Sequence, residues 1–293
     1  IETLDILAEA GVNRLSLGVQ SLTEAGLREL GRAASAERTL RSVQHLSERW
    51  EGRWNADLIV GFQGDSPERV ARDLELLLQM GARHLSVYAL TVEPGTPLAA
   101  KVEAGAVILP GDAELLELLR VAGGTLRRQG MERYEVSNYA LPGEESLHNL
   151  RYWRMAPYLG VGPAAASTLY YPSAPLRGLR LEGVRSVTSY LAEPASRYRM
   201  ESLSTEDLLL EHLLMGLRTR EGVPLTRLEE RFGIPEEAIR ESIQAAPTQQ
   251  DAEEPPICID PSTPATLRIP EKWWNLLDQA VFQATERIVP LLK

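Results

Sequence analysis

The sequence predicts an α/β protein in which a largely parallel sheet is covered by helices and is followed by a smaller, mainly helical region. Three observations lead to this fold class. Strand-like and helix-like segments alternate through the first half of the chain, the strands are apolar and carry β-branched residues, and the pattern becomes mostly helical after Ser204. Repeated βα units with apolar strands are typical of parallel sheets packed between helices.

Three strands and their intervening helices account for the first half. The helix after the second strand has the clearest ends, since Ser66 is a suitable N-cap, Pro67 a suitable first residue and Gly81 a suitable stop. A fourth strand is expected later, near the end of this region. The predicted strands are Asn13–Gln20, Trp54–Phe62, Arg83–Leu90 and Arg133–Ala140.

The second half begins with a stretch over 148–167 that is aromatic and rich in Gly and Ala, which predicts a loop. Ser204 and Asp207 have the spacing of a capping box and start a run of helices. A Pro-rich acidic segment over 246–265 predicts a loop, and a short strand and a final helix follow it. Helices combined with a strand pair resemble a winged helix, although this region is not basic enough to favour reading DNA.

The composition narrows the classes of function. The 293 residues are 44% hydrophobic, which is enough for one large domain and a small one. A net charge of −10 argues against a nucleic-acid partner, because such proteins usually present a basic face. No apolar run approaches the roughly 18 residues of a membrane span. The single cysteine, Cys258, allows no disulfide within a monomer, which suits a cytoplasmic protein.

The start of the sequence does not look like the start of a protein. The chain opens on Ile1 rather than Met, and it enters an amphipathic helix at once. The first residues do not resemble a signal peptide either. We therefore expect that an amino-terminal segment is missing from this sequence.

Seven short motifs carry a resemblance to a known family, and they stand in one order: AGVNRLSLGVQSL, ELGR, ADLIVGF, LSVYALTVEPGTPL, YEVSNYA, HNLRYW and YLGVG. Together they resemble the radical-SAM family of oxygen-independent coproporphyrinogen III oxidases, and more closely its haem-chaperone branch. The resemblance implies the carboxyl-terminal half of a partial (βα)6 TIM-like barrel over 1–140, a connecting segment over 141–200 and a small, mainly helical, winged-helix-like domain over 201–293.

The resemblance also implies a site for S-adenosylmethionine (SAM) at the strand ends. It assigns contacts with SAM to Gln20, Arg32 and Asp57, and it brings Thr91 near the adenosyl group. The chemistry is suitable, since a guanidinium pairs with the α-carboxylate of SAM, and an amide and a carboxylate satisfy its amino group and hydroxyls. From the residues alone, the alternative is that Gln20 and Asp57 cap strand ends and Arg32 lies in solvent.

A second site is implied by the motif HNLRYW, whose residues His148, Asn149, Tyr152 and Trp153 set the haem-chaperone branch apart from the oxidases. Imidazole is a good iron ligand, which makes His148 a candidate ligand of haem iron, and aromatic faces stack on a porphyrin. The alternative is a packing loop in which His148 bonds a backbone carbonyl.

Radical-SAM chemistry also requires a [4Fe–4S] cluster, which the family holds with three thiolates of a CxxxCxxC loop. This sequence contains no such loop, so the cluster and SAM are expected in an intact parent protein. We expect this chain to be a fragment of a haem chaperone that binds haem and delivers it to haem-requiring proteins. Two alternatives remain open: an oxygen-independent coproporphyrinogen III oxidase, and a non-catalytic binding module without cluster or SAM.

Overall fold

The structure is a computed structural model that describes residues 2–192, 198–244, 257–262 and 264–292. The chain divides into two compact units, Ile1–Glu145 and Ser146–Lys293. The predicted division into three segments, with boundaries at residues 140 and 200, stays a prediction. Most of the predicted Pro-rich loop over 246–265 lies outside the described residues, namely residues 246–256 and 263.

The first unit alternates helices with strands, as the sequence predicts. Its elements are α1 (Glu2–Glu9), β1 (Arg14–Gln20), α2 (Glu24–Glu29), α3 (Ala36–Arg49), β2 (Arg53–Val60), α4 (Pro67–Gln79), β3 (His84–Ala89), α5 (Pro97–Glu103), α6 (Asp112–Arg128), β4 (Glu132–Arg133) and β5 (Asn138–Ala140). They form one five-stranded sheet in the order β1-β2-β3-β5-β4. The strands β1, β2 and β3 are parallel, which confirms the α/β fold class, whereas β5 and β4 are antiparallel to their neighbours.

The predicted strand Arg133–Ala140 is wrong, because the chain turns back on itself within it. Arg133 Nε donates to the carbonyl of Val136 at 3.0 Å, and the backbone N–H of Ser137 donates to Glu135 Oε2 at 3.3 Å. These local bonds close a tight turn between β4 and β5, so polar side chains inside the segment compete with an extended backbone.

Side-chain hydroxyls cap the starts of several helices in this unit. Ser66 Oγ accepts a hydrogen bond from the backbone N–H of Arg69, with Pro67 at the first helical position, which confirms the predicted start of α4. Gly81 follows the last residue of α4 closely and has a φ of +91°, a conformation that glycine adopts without steric cost.

The two faces of the sheet differ in character. Alternate side chains of β1, β2 and β3, among them Val19, Leu58 and Leu85, join a buried apolar core with α3, α4 and α6. The side chains between them point to the opposite face, since neighbouring residues of a strand alternate. That opposite face carries Ser16 of β1, Asn55 and Asp57 of β2, and Ser86 and Tyr88 of β3.

The second unit is richer in strands than the sequence suggested. Its elements are α7 (Leu147–Trp153), β6 (Ala166–Tyr170), β7 (Gly178–Gly183), α8 (Val187–Ala192), β8 (Tyr198–Leu203), α9 (Thr205–Gly216), β9 (Val223–Pro224), α10 (Leu225–Phe232), α11 (Glu236–Gln244), β10 (Cys258–Asp260), β11 (Thr266–Arg268), α12 (Leu277–Ile288) and two 3-10 helices, Glu271–Leu276 and Val289–Leu291.

The predicted loop over 148–167 is wrong in its first part. Residues Leu147–Trp153 form the helix α7, and Ser146 caps it by accepting from the backbone N–H of Asn149. An antiparallel sheet β6-β7-β8 then follows, which the sequence did not predict. Its strands are short and are bounded by Gly and Pro, so their period-2 pattern is too brief to stand out.

The carboxyl-terminal part combines helices with a small antiparallel sheet in the order β10-β11-β9, as expected of a winged-helix-like domain. The predicted capping box of Ser204 and Asp207 at the start of α9 is confirmed. Leu208, Leu213 and Leu228 are fully buried in its core. Among the described helices of the chain, none combines the length and the apolar character that crossing a bilayer would require.

Candidate functional site

Two of the predicted SAM residues lie on neighbouring parallel strands, and one of them is at the carboxyl end of its strand. Gln20 is the last residue of β1, and Asp57 lies on β2, where it pairs in register with Gly18. The register shifts between Gly18 and Gln20, so that Gln20 pairs with Leu58. The carboxyl ends of parallel strands are where α/β proteins bind ligands, and Gln20 lies at such an end, paired with the residue that follows Asp57.

Gln20 has a strained backbone, with a φ of +66°. Its amide folds back over Gly18, where a Cβ would come within 2.7 Å of Gln20 Nε2. A left-handed conformation costs a residue other than glycine roughly 1–2 kcal/mol. Such strain is found most often at ligand sites, and here it turns the amide of Gln20 over the polar face of the sheet.

Asp57 lies in a polar network on that same face. Its Oδ2 accepts from Ser16 Oγ at 2.8 Å, its Oδ1 accepts from Asn55 Nδ2 at 2.9 Å, and Asn55 Nδ2 also donates to Ser16 Oγ at 3.0 Å. These bonds hold the carboxylate in one orientation. Ser16 and Asn55 were not predicted from the sequence, although Asn55 lies two residues before Asp57 and so shares its face.

The other two predicted SAM residues lie in exposed loops. Arg32 follows α2, where its backbone N–H donates to the carbonyl of Leu27 at 2.9 Å, and Thr91 follows β3. Both residues are exposed, and among the described residues neither side chain has a hydrogen-bond partner. The structure thus places them near the ends of strands and helices without joining them to Gln20 or Asp57.

The polar face extends to two residues that the sequence analysis did not single out. Burial raises the pKa of the Tyr88 hydroxyl, and the negative charges of Asp57 and Glu135 add to this effect. Glu135 is only 1% exposed, and burial raises the pKa of its carboxyl. Its Oε2 accepts from Ser137, while its Oε1 has no hydrogen-bond partner among the described residues.

The predicted haem residues lie together on α7, the first helix of the second unit. His148 is exposed, whereas Asn149, Tyr152 and Trp153 are half-buried. The Tyr152 hydroxyl lies 3.4 Å from His148 Nε2, and the two rings meet edge to face with their centroids 4.9 Å apart. His148 therefore lies on a helix, and its exposed imidazole contacts the Tyr152 hydroxyl, which disagrees with the alternative of a packing loop.

A cavity of about 260 Å³ lies beside α7. Tyr152 forms part of its wall and packs edge to face against Tyr158, with ring centroids 4.7 Å apart. We call the three rings of His148, Tyr152 and Tyr158 the aromatic row. This cavity was not predictable from the sequence, because its walls come from distant segments. The lining residues are Tyr152, Met155, Ala156, Tyr158, Thr168, Tyr170, Arg180, Glu211, Leu214 and Met215.

The family's cofactors fit this chain to different degrees. Fe–S clusters are held by Cys thiolates, and Cys258 is the only cysteine of the sequence, so these residues do not fit a [4Fe–4S] cluster. Within the described parts of the chain, no three His, Cys, Asp or Glu side chains come together to hold a metal ion. Gln20 and the network of Asp57 fit a polar organic ligand such as SAM.

Comparison with known proteins supports the same family. The model of the radical SAM superfamily matches residues 1–77, and that of the HemN C-terminal domain matches residues 203–252. The heme chaperone HemW of Lactococcus lactis subsp. lactis (strain IL1403) is 32% identical over 233 residues, covering 79% of this chain and 60% of that protein. Radical S-adenosyl methionine domain-containing protein 1, mitochondrial, of Danio rerio is 36% identical over 240 residues, covering 76% of this chain and 54% of that protein.

A solved structure shows the same fold. The chain matches coproporphyrinogen III oxidase of Escherichia coli with a TM-score of 0.72 at 19% identity, covering 97% of this chain and 66% of that one. The chain spans 60% of the length of the Lactococcus lactis relative and 54% of the Danio rerio relative. On the family models and the curated relatives, the chain belongs to the radical-SAM family of haem chaperones and coproporphyrinogen III oxidases.

Proposed function

We propose that this chain is part of a radical-SAM haem chaperone, which binds haem and passes it to haem-requiring proteins. The observation that carries the proposal is the exposed imidazole of His148, held edge to face against Tyr152 on α7. Imidazole is a common axial ligand of haem iron, and aromatic rings pack well against a porphyrin. The relatives named as heme chaperones support the same function.

The other residues of the motif have supporting roles in this proposal. The backbone N–H of Asn149 donates to Ser146 Oγ, which fixes the start of α7 and so the direction of His148. Trp153 ends the same helix and is half-buried. Asn149 offers an amide, and Trp153 offers an indole ring, to a haem bound along α7.

Titration of haem into the chain tests the proposal. We expect wild type to bind haem with a Soret band that reports an imidazole ligand, and His148→Ala to shift that band and weaken binding at least about tenfold, or 1.4 kcal/mol. His45→Ala is the matched control, because His45 is also an exposed histidine on a helix, α3. Failure of wild type to bind haem, or an equal effect of both substitutions, would exclude haem ligation by His148.

We also propose that Gln20, Arg32, Asp57 and Thr91 belong to a SAM pocket at the carboxyl edge of the sheet. In this pocket Arg32 pairs with the α-carboxylate, while Gln20 and Asp57 bind the amino and hydroxyl groups. The strained backbone of Gln20 and the orienting bonds to Asp57 support this role.

Calorimetric titration of SAM tests the pocket. We expect weak binding to the 293-residue chain and tighter binding to a longer form that carries a CxxxCxxC segment. In that longer form, Asp57→Ala and Arg32→Ala should weaken binding, whereas Arg38→Ala, at an exposed position of α3, should not. Tight binding to the short chain that Arg32→Ala leaves unchanged would contradict the assignment.

The two alternatives are separated by activity and by the upstream sequence. Decarboxylation of coproporphyrinogen III by the longer form would identify an oxidase, and its absence together with haem binding supports the chaperone. A coding sequence without an upstream CxxxCxxC would instead favour a non-catalytic binding module. Haem-requiring acceptor proteins and a cytoplasmic location stay predictions from the sequence.

A further inference from the structure

We propose that the cavity beside α7 binds the apolar edge of haem, the side of the macrocycle that carries methyl and vinyl groups, while the iron stays outside at His148. This inference rests on the proposed haem binding and names the part of the ligand that the second unit encloses. It concerns residues outside the HNLRYW motif: Met155, Tyr158, Tyr170, Leu214 and Met215.

The size of the cavity favours a ligand of which only one part enters. Its volume is about 260 Å³, whereas pockets that enclose a whole drug-sized ligand measure roughly 300–1,000 Å³. A cavity of this volume suits one edge of a macrocycle as large as haem better than the whole ring. One edge can enter, and the rest of the ring then lies outside along α7.

The lining suits a flat apolar group. Tyr152, Tyr158 and Tyr170 present aromatic rings, and Met155 and Met215 present flexible thioethers. Thioethers adapt to irregular shapes and make favourable contacts with aromatic rings. Rings packed edge to face, as Tyr152 and Tyr158 are, leave faces and edges that a further aromatic system can contact.

The charges of the lining favour the apolar edge over the propionates. Arg180 and Glu211 are the charged lining residues, and they pair with each other through Arg180 Nη2 at 2.8 Å. This pairing leaves the wall without net charge, so it offers no unpaired cation to a carboxylate. Burial raises the pKa of Tyr170 to about 12, so its hydroxyl stays neutral and supplies no phenolate to the iron.

The aromatic row joins the cavity to the proposed iron ligand. Tyr152 contacts His148 on one side and Tyr158 on the other, with ring centroids 4.9 and 4.7 Å away. His148 is exposed, whereas Tyr152 and Tyr158 line the cavity. A flat ligand that reaches the imidazole can therefore extend along the row into the cavity.

The part of the cavity wall formed by Met155 and Tyr170 is held in place by Arg231. Met155 has a φ of +51°, and Arg231 Nη1 donates to its carbonyl at 3.2 Å. The guanidinium of Arg231 also lies over the Tyr170 ring, 5.9 Å from its centroid. Because these residues are held before a ligand arrives, less ordering entropy is lost on binding.

Filling the cavity tests the inference. Leu214→Trp places a bulky side chain at the cavity wall, and Leu210→Trp is the matched control one helical turn earlier on α9. Both leucines are 37% exposed, but only Leu214 belongs to the lining. Haem and metal-free protoporphyrin IX are titrated into each variant of the full chain, and thermal unfolding verifies that each variant folds.

We expect Leu214→Trp to weaken binding of haem and of protoporphyrin about tenfold or more, and Leu210→Trp to change neither by more than about twofold. His148→Ala should shift the Soret band of haem and leave protoporphyrin binding largely intact. Equal losses of affinity in the two Trp variants, or no loss of affinity in Leu214→Trp, would overturn the cavity assignment. If the Soret band still depends on His148 in that case, the proposed haem ligation by His148 stands. Absence of haem binding to wild type would overturn both.

Discussion

Arg231 Nη1 lies 2.5 Å from His212 Nε2, and this contact determines the protonation state of the imidazole. A guanidinium can only donate, so Nε2 accepts, and the proton is on Nδ1, which donates to the carbonyl of Leu208 at 2.7 Å. Burial lowers the pKa of His212 to about 3, and the positive charge of Arg231 adds to this effect. The buried ring is therefore neutral at physiological pH.

The neutral state of His212 predicts a loss of stability in acid. The unfolded chain binds a proton near the ordinary histidine pKa of 6.5, whereas the folded chain binds it only near 3, so stability is complete above 6.5 and falls as the pH drops from 6.5 towards 3. This residue contributes about 1.4 kcal/mol per pH unit within that window. His212→Gln should reduce the slope of unfolding free energy against pH, measured by urea denaturation.

The slope should not vanish in that variant, because burial also lowers the pKa of His84 in the first unit to about 3. The same slope in wild type and in His212→Gln would show that the pKa of His212 is the same in the folded and the unfolded chain.

Arg69 separates two carboxylates next to β2, and its removal should destabilise the first unit. It pairs with Asp65 at 2.5 Å and with Asp73 at 2.6 Å, and all three side chains are at most 16% exposed. Arg69→Gln removes the cation that contacts both carboxylates, so we expect a loss of about 2–3 kcal/mol in unfolding free energy at pH 7. Arg72→Gln, at an exposed position of the same helix, should stay within about 0.5 kcal/mol.

This loss should shrink in acid, since a protonated Asp73 is no longer repelled by the neighbouring carboxylate. Burial already raises the pKa of Asp73 against the effect of Arg69. Chemical denaturation at pH 7 and at pH 4 measures both values. A loss that is the same at both pH values would show that Arg69 stabilises the fold by packing alone.

The strained backbone of Gln20 predicts an unusual order of stabilities. With a φ of +66°, position 20 suits glycine, so Gln20→Gly should be more stable than Gln20→Ala by about 1 kcal/mol. At Ser16, an ordinary position of β1, the glycine variant should be the less stable one. Denaturant unfolding of the glycine and alanine variants at positions 20 and 16 measures both differences. If glycine and alanine rank in the same order at both positions, the backbone of Gln20 is not strained.

Reconstitution with iron and sulfide should leave the 293-residue chain without a [4Fe–4S] cluster. One cysteine cannot supply three thiolates from a single chain. Anaerobic reconstitution followed by iron analysis and absorption spectroscopy measures the outcome. About four irons per chain with the charge-transfer absorbance of a cluster would contradict the expectation.

The sequence predicted the helices and strands best where a capping pair or a repeating apolar pattern lies within one continuous segment. The start of α4 was recognisable because Ser66 and Pro67 act within a few residues of each other, and the strands around Leu17 and Leu58 stood out because their apolar residues repeat. The hairpin at Glu135 and the helix α7 were not recognised. Side chains that bond the nearby backbone cause the hairpin. Helix α7 has only seven residues, about two turns, and the sequence after it is rich in Gly and Ala.

For the site, the sequence by itself determined which residues carry suitable chemistry: the amide of Gln20, the carboxylate of Asp57 and the imidazole of His148 follow from local motifs. The tertiary structure alone decided what surrounds them. Ser16 on β1 orients Asp57 on β2, although the two residues are 41 positions apart in sequence. The cavity beside α7 is closed by side chains of α9 and of the sheet β6-β7-β8. A local pattern specifies the period of a strand or helix, but which distant side chains share a cavity depends on packing between elements, and no short stretch of sequence contains that information.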